Sequence, residues 1–220
     1  AMQEDLMAHV SREKIIAIVR GVGSEQCMKV AQALYDGGVR LMEVTYDQSR
    51  PESWDATAKA IGDIVRAFEG KMPAGAGRVT DPRLVDLPRE PGGLFIIPPD
   101  TNIDVIKRTR ELGLVSMPGA LTPSEIMTAH RAGADFVKLF PAADMGPGYL
   151  KAVRAPLNHI KLMAVGGVNE KNVADFLAAG AVGAGVGGNL ANRAWIEAGE
   201  FGKITEAARA LVSAAAAFKE

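Results

Sequence analysis

HIKLMAVGGVNEKNVADFLAAGAVGAGVGG, residues 159–188, reads as a strand, a helix and a second strand. The runs HIKLMAVGG (159–167) and AVGAGVGG (181–188) are short and apolar, as strands covered on both faces are. Between them, Asn169 supplies a helix start before EKNVADFLAAGA and Gly180 a stop. The unit is βαβ, and the rest of the chain repeats it. Six further strand candidates are IIAIVR (15–20), RLMEVTY (40–46), MPAGAG (72–77), LFIIP (94–98), LVSMPG (114–119) and DFVKLF (135–140). Other helix starts are Ser24, before EQCMKVAQALYDGG, and Thr122-Pro-Ser-Glu125, before IMTAHRAGA, with stops at Gly37 and Gly133.

Eight such units with brief connections predict an α/β fold, a closed (β/α)8 TIM barrel in a single domain over residues 1–220. An open doubly wound sheet is the second reading. Residues 2–10 are expected to form a short N-terminal helix across the barrel bottom. The alanine-rich SAAAAF (213–218) reads as surface helix.

A chain of 220 residues with 48% hydrophobic content closes one large core more readily than two. Lys plus Arg (25) nearly cancels Asp plus Glu (26), with no basic block, which argues against nucleic acid or an anionic membrane as partner. Cys27 stands alone, and His9, His130 and His159 are scattered, so no disulfide framework or metal-ligand spacing is present. A reducing cytoplasm and a site without metal or cofactor are expected. The N-terminal AMQEDLMAHV lacks the positive region of a signal peptide, and no run approaches the roughly 20 apolar residues of a membrane span. Ala1 ahead of Met2 reads as a cloning remnant.

Two ionisable side chains interrupt the apolar strands. Alternation puts Glu43 on one face with Leu41 and Thr45, and Lys138 on one face with Phe136 and Phe140. A lysine buried there tends to lose its proton, because low dielectric disfavours the charge, and the neutral amine is a nucleophile. The residues alone leave two readings open: a buried ion pair that only supports the fold, or chemistry at the carboxyl ends of barrel strands, where active sites of such folds gather. Arg20 and Arg78 end the first and third strands, and each is either an anion grip or an arginine leaving for solvent. Gly166-Gly167 and Gly187-Gly188 close the last two strands, as in barrel phosphate sites, or simply make tight turns. GAGVGG (183–188) satisfies G-x-G-x-x-G, but no second strand with an acidic ribose partner follows, so a dinucleotide site is rejected.

KIIAIVRG, GGVRLMEVT, GAG followed by Val79, MPGALTPSE, FVKLFPA, GGVNEKN and GVGGNL resemble, in order and over nearly the whole chain, the blocks of the class I 2-keto-3-deoxy-6-phosphogluconate and 4-hydroxy-2-oxoglutarate aldolases. The resemblance implies an eight-stranded barrel, a homotrimer, and cleavage of a 2-keto-3-deoxy acid to pyruvate plus an aldehyde. It makes Lys138 the imine lysine, Glu43 the general acid and base, Arg20 the arginine after strand one, and Phe140 the aromatic beside pyruvate. Thr45 and Pro98 fall at its substrate-facing strand ends, and Gly166, Gly167, Gly187 and Gly188 on its phosphate turns. Arg78 stands where the family has threonine, Asp47 near a family arginine, Pro98-Pro99 for Ser-Pro, and Gly188 for serine. Val165-Gly166-Gly167 resembles the galactonate-type branch. Two other functions compete with an aldolase: a sugar-phosphate isomerase or synthase on the same barrel, with Glu43 as base, and a noncatalytic sugar-acid binder.

Overall fold

The computed structural model describes residues 2–87 and 94–218; Ala1 lies outside them. Nine short strands form one parallel, curled sheet: β1 Ile15–Arg20, β2 Met42–Thr45, β3 Ala74–Gly77, β4 Phe95–Ile97, β5 Val115–Ser116, β6 Gly119–Ala120, β7 Val137–Leu139, β8 Leu162–Val165 and β9 Gly183–Val186. Their order is β5-β4-β3-β2-β1-β9-β8-β7-β6. The two ends of this ladder, β5 and β6, are separated in the chain only by Met117 and Pro118. The fifth strand expected over 114–119 is therefore two pieces, giving nine strands instead of eight. Pro118 has no N–H to donate, which interrupts a ladder at that point. Across the break, Met117 N donates to Ile96 O at 2.9 Å, and Lys138 N donates to Pro118 O at 2.8 Å.

Alternation along the strands sorts the apolar side chains into two cores. Ala17, Val19, Met42, Val44, Ala74, Ala76, Val137 and Leu139 pack outward against the helices. Ile16, Ile18, Leu41, Phe95, Ile97, Val115, Met117, Phe136, Met163 and Val165 form a second, inner cluster drawn from both ends of the ladder. Helix Met2–Glu13, longer than expected, adds Leu6 and Val10 to that inner cluster. Each such side chain, fully buried, contributes roughly 1.5–3 kcal/mol.

Several helix boundaries differ from expectation. Thr122 caps helix Pro123–Ala132 in a full capping box with Glu125, and Gly133 ends it at φ 110°. Ser24, however, is the first helical residue, behind Gly23, and its hydroxyl donates to Asp63 Oδ2 at 2.8 Å. Asn169 makes a turn instead of a cap: its Oδ1 accepts from the Lys171 and Asn172 amides, and helix Val173–Ala178 starts after Asn172. The left-handed turn after helix Ser24–Asp36 falls at Gly38, not Gly37. Gly37 is small for a packing reason, because a Cβ there would lie 2.4 Å from Ala208 Cβ and 2.6 Å from Thr205 O. Ala215, in helix Phe201–Ala215, is buried, so the alanine-rich stretch 213–218 is partly core and not all surface.

Gly37→Ala is expected to destabilise the protein by about 1–3 kcal/mol through overpacking between these two helices, read as a lower urea midpoint with unchanged slope.

Candidate active site

The inward positions of β3 and β9 are glycine, and this decides where the charged side chains can lie. On β3, Gly75 is in register with Glu43 and Gly77 with Thr45. A Cβ on Gly75 would strike the Phe95 ring at 2.1 Å, and one on Gly77 would stand 1.9 Å from Glu43 Oε2. The Glu43 carboxylate thus occupies the volume that Gly77 gives up. On β9, Gly183 and Gly185 alternate in the same way, a Cβ there meeting Lys14 O at 2.3 Å and Val165 Cγ2 at 3.0 Å; just past the strand, a Cβ on Gly187 would make only ordinary contact with Arg20 Nη1, at 3.5 Å. The first two glycines of the G-x-G-x-x-G pattern in this stretch, Gly183 and Gly185, therefore answer to side-chain space, and the last, Gly188, does not. The register of β1 with β2 and of β2 with β3 also sets Arg20 beside Thr45 and Thr45 beside Gly77.

Glu43 is 4% and Lys138 8% exposed. Neither a hydrogen bond nor an ion pair within 4.0 Å joins them among the described residues, so the geometry is not that of a closed buried salt bridge. Burial pushes Glu43 up to about 7, opposed by Lys138, Arg20 and Arg78. Burial likewise draws Lys138 below the ordinary lysine value; Glu43 and Asp100 oppose this, while Arg20 and Arg78 reinforce it. Arg20 is also lowered, first by burial and then by Arg78. One carboxyl and three cations therefore share a single electrostatic neighbourhood at the carboxyl ends of β1, β2, β3 and β7.

The remaining expected residues arrange around it. The Lys138 ammonium lies 5.3 Å from the centre of the Phe140 ring, which is 41% exposed. The same ring lies against Gly166, within 3.2 Å of where a Cβ would stand, and links Lys138 to the turn after β8. Thr45 Oγ1 donates to Val19 O at 3.4 Å. Gly166 (φ 101°) and Gly167 (φ 72°) hold conformations that favour glycine. Gly188 has open space around it, so no close packing requires glycine there. Pro98 is buried at the end of β4 and makes no described contact with Lys138. Asp47 turns its carboxylate to the Ser49 amide and hydroxyl at 2.9 and 2.6 Å, bonds that hold it below the usual carboxylate range. Two contributors were not singled out from sequence: Gly77, legible only through register with β2, and Asp100, a carboxylate just past β4.

A model of the KDPG and KHG aldolases matches residues 6–207. The chain is 36% identical over 177 residues to the 2-dehydro-3-deoxy-6-phosphogalactonate aldolase of Escherichia coli (strain K12), covering 80% of this chain and 83% of that one. The chain belongs to the KDPG and KHG aldolase family. It is an aldolase-type lyase of the class I, Schiff-base kind. This aldolase is also 32% identical over 195 residues to the KHG/KDPG aldolase of the same organism, covering 87% of each. A native KDPGal structure superposes with a TM-score of 0.82 at 33% identity, covering 93% of this chain and 95% of that one.

Gly77→Ala should displace the Glu43 carboxylate and lower kcat by about 100-fold, the cost of misplacing a reacting group by about 1 Å, while imine formation with pyruvate survives. Steady-state kinetics beside pyruvate trapping separates the two effects.

Proposed function

We propose that this aldolase cleaves a 2-keto-3-deoxy sugar acid of the 6-phosphogalactonate type through an imine on Lys138. The observation that carries this reading is the buried Lys138 amine, biased toward neutrality and not ion-paired, facing the same strand ends as a carboxyl poised near neutral pH. In the proposed sequence, the Lys138 amine adds to the C2 ketone and water leaves, giving an iminium. The C4 hydroxyl gives its proton to the Glu43 carboxylate as the C3–C4 bond breaks, its electron pair moving into the iminium to form an enamine and releasing the aldehyde. Protonation at C3 and hydrolysis then free pyruvate and restore the amine. Arg20 and Arg78 hold the substrate carboxylate, Phe140, Thr45 and Pro98 line the keto-acid end, and the Gly166-Gly167 and Gly187-Gly188 turns receive the distal phosphate.

The galactonate-type assignment is supported by Val165-Gly166-Gly167 and by the identity to the Escherichia coli phosphogalactonate enzyme. Pyruvate release from galactonate-derived, gluconate-derived and unphosphorylated keto acids tests it. We read β5 and β6 as one broken strand closing an eight-stranded barrel, with the whole chain as one domain; slow hydrogen exchange at the Met117 and Lys138 amides would show the closure. A homotrimer in the cytoplasm is the assembly and location the family resemblance implies, measured by sedimentation equilibrium and cell fractionation.

Pyruvate with borohydride is expected to leave a reduced pyruvyl group on Lys138, located by peptide mass; an adduct elsewhere or none sinks the mechanism. Lys138→Met should abolish cleavage while retaining the fold, since Lys138 makes no ion pair, among the described residues, whose loss would leave a buried partner uncompensated. Because burial raises Glu43 to about 7 and its base form is required, kcat/KM should fall about tenfold per pH unit below that value. An unshifted carboxylate would keep the rate level down to pH near 5.

A further inference from the structure

A polar link between the segments after β2 and β3 has no part in the grip described so far. Gln48 Nε2 donates to Arg78 O at 2.6 Å, and the Thr80 hydroxyl donates to Gln48 Oε1 at 2.9 Å. Each end of the amide meets a complementary partner, oxygen to hydroxyl and nitrogen to carbonyl. On its other side, Arg78 N donates to Ile97 O at 3.0 Å. Both main-chain polar groups of Arg78 are therefore committed.

Arg78 stands at φ 53°, in the left-handed region that a long side chain rarely adopts. Residues in such conformations persist where the surroundings over-determine them. Gly77 next door would take the conformation freely, yet β3 uses Gly77 for the Glu43 carboxylate and places the left-handed turn one residue later, on an arginine. Side-chain direction follows from that backbone. Arg78 directly follows Gly77, whose inward side meets the Glu43 carboxylate, and its charge is felt at Glu43, Lys138 and Arg20 as well as at Asp47.

We propose that Gln48 is a positioning residue: by holding the Arg78 carbonyl, with Thr80 fixing its amide, it keeps Arg78 in the left-handed conformation that turns the guanidinium toward the carboxylate of the bound keto acid. The proposal rests on the aldolase reading above. Gln48 is exposed, so its bond competes with water and its effect is modest. It acts on binding of the carboxylate and leaves the chemistry at the Lys138 amine alone.

The test is borohydride trapping at increasing pyruvate, which yields a half-saturating concentration and a maximal rate. Gln48→Met keeps the length but removes the donor, and should raise half-saturation about three- to tenfold, the span of one net hydrogen bond, with the maximal rate held. Thr80→Val should shift it in the same direction by less. In an Arg78→Ala background, Gln48→Met should add nothing, because the two residues act as one unit. A Gln48→Met protein that melts lower with unmoved half-saturation, or an equal shift in the Arg78→Ala background, overturns the proposal while leaving the aldolase reading standing. Absence of any adduct on Lys138 in the unsubstituted protein removes both.

Discussion

Space inside the curled sheet is the constraint on which this site depends. Parallel strands covered on both faces demand apolar side chains, and here the inner cluster supplies them wherever chemistry is absent. β3 and β9 break the rule by presenting glycine inward, and they flank the β1–β2 pair. The volume they vacate is filled by Phe95 and the Glu43 carboxylate on one side, and by Val165 and Ile18 on the other. A methyl group at position 77 would lie inside the carboxylate it now accommodates. The charges are thus admitted by their neighbours before they are tuned by them.

Burying those charges is costly, and the fold does not offset the cost with a direct salt bridge. An ion pair in contact would satisfy both groups and leave neither reactive. Held apart, Glu43 rises to about 7 and Lys138 falls below its ordinary value, each because burial disfavours its ionised form. The outer core between sheet and helices, together with the helix Met2–Glu13 contributing Leu6 and Val10 to the inner cluster, carries the stability that lets the strand ends remain strained in this way.

The fold was legible where periodicity and capping chemistry speak plainly: alternating apolar strands, the Thr122 capping box, the Gly133 stop. It was less legible where one residue serves two demands. Pro118 splits a strand because a missing N–H matters to the ladder but not to the apolar pattern. Gly37 carries a helix-packing contact while looking like a stop. For the site, Lys138, Glu43 and Arg20 stood out as charges in apolar runs, whereas Gly77 and Gln48 depend on register between strands and on contacts across about thirty residues of chain, which no local pattern encodes. The departures at Arg78 and Asp47 were visible as residues, but their surroundings were not: the Asp47 carboxylate folds back on Ser49, and the Arg78 carbonyl is held by Gln48.

The excess of positive charge at the strand ends has a consequence for the order of events. In the free protein, burial first, and then Arg20 and Arg78 against the opposing Glu43 and Asp100, disfavour an ammonium at Lys138. The proposed iminium is itself a cation at the same place, and the same two arginines would oppose it if nothing else changed. On the proposed assignment, the substrate brings its own carboxylate to those arginines and offsets them as it binds, so that Lys138 meets repulsion as an ammonium but not as an iminium. The cations would then favour the neutral nucleophile before binding and tolerate the electron sink after it, a differential effect that raises kcat in a way uniform binding cannot. On the same assignment, an arginine at 78, in place of a neutral hydroxyl, is compatible with a reacting lysine: the added charge acts against the ammonium, and the substrate carboxylate cancels it when the iminium forms.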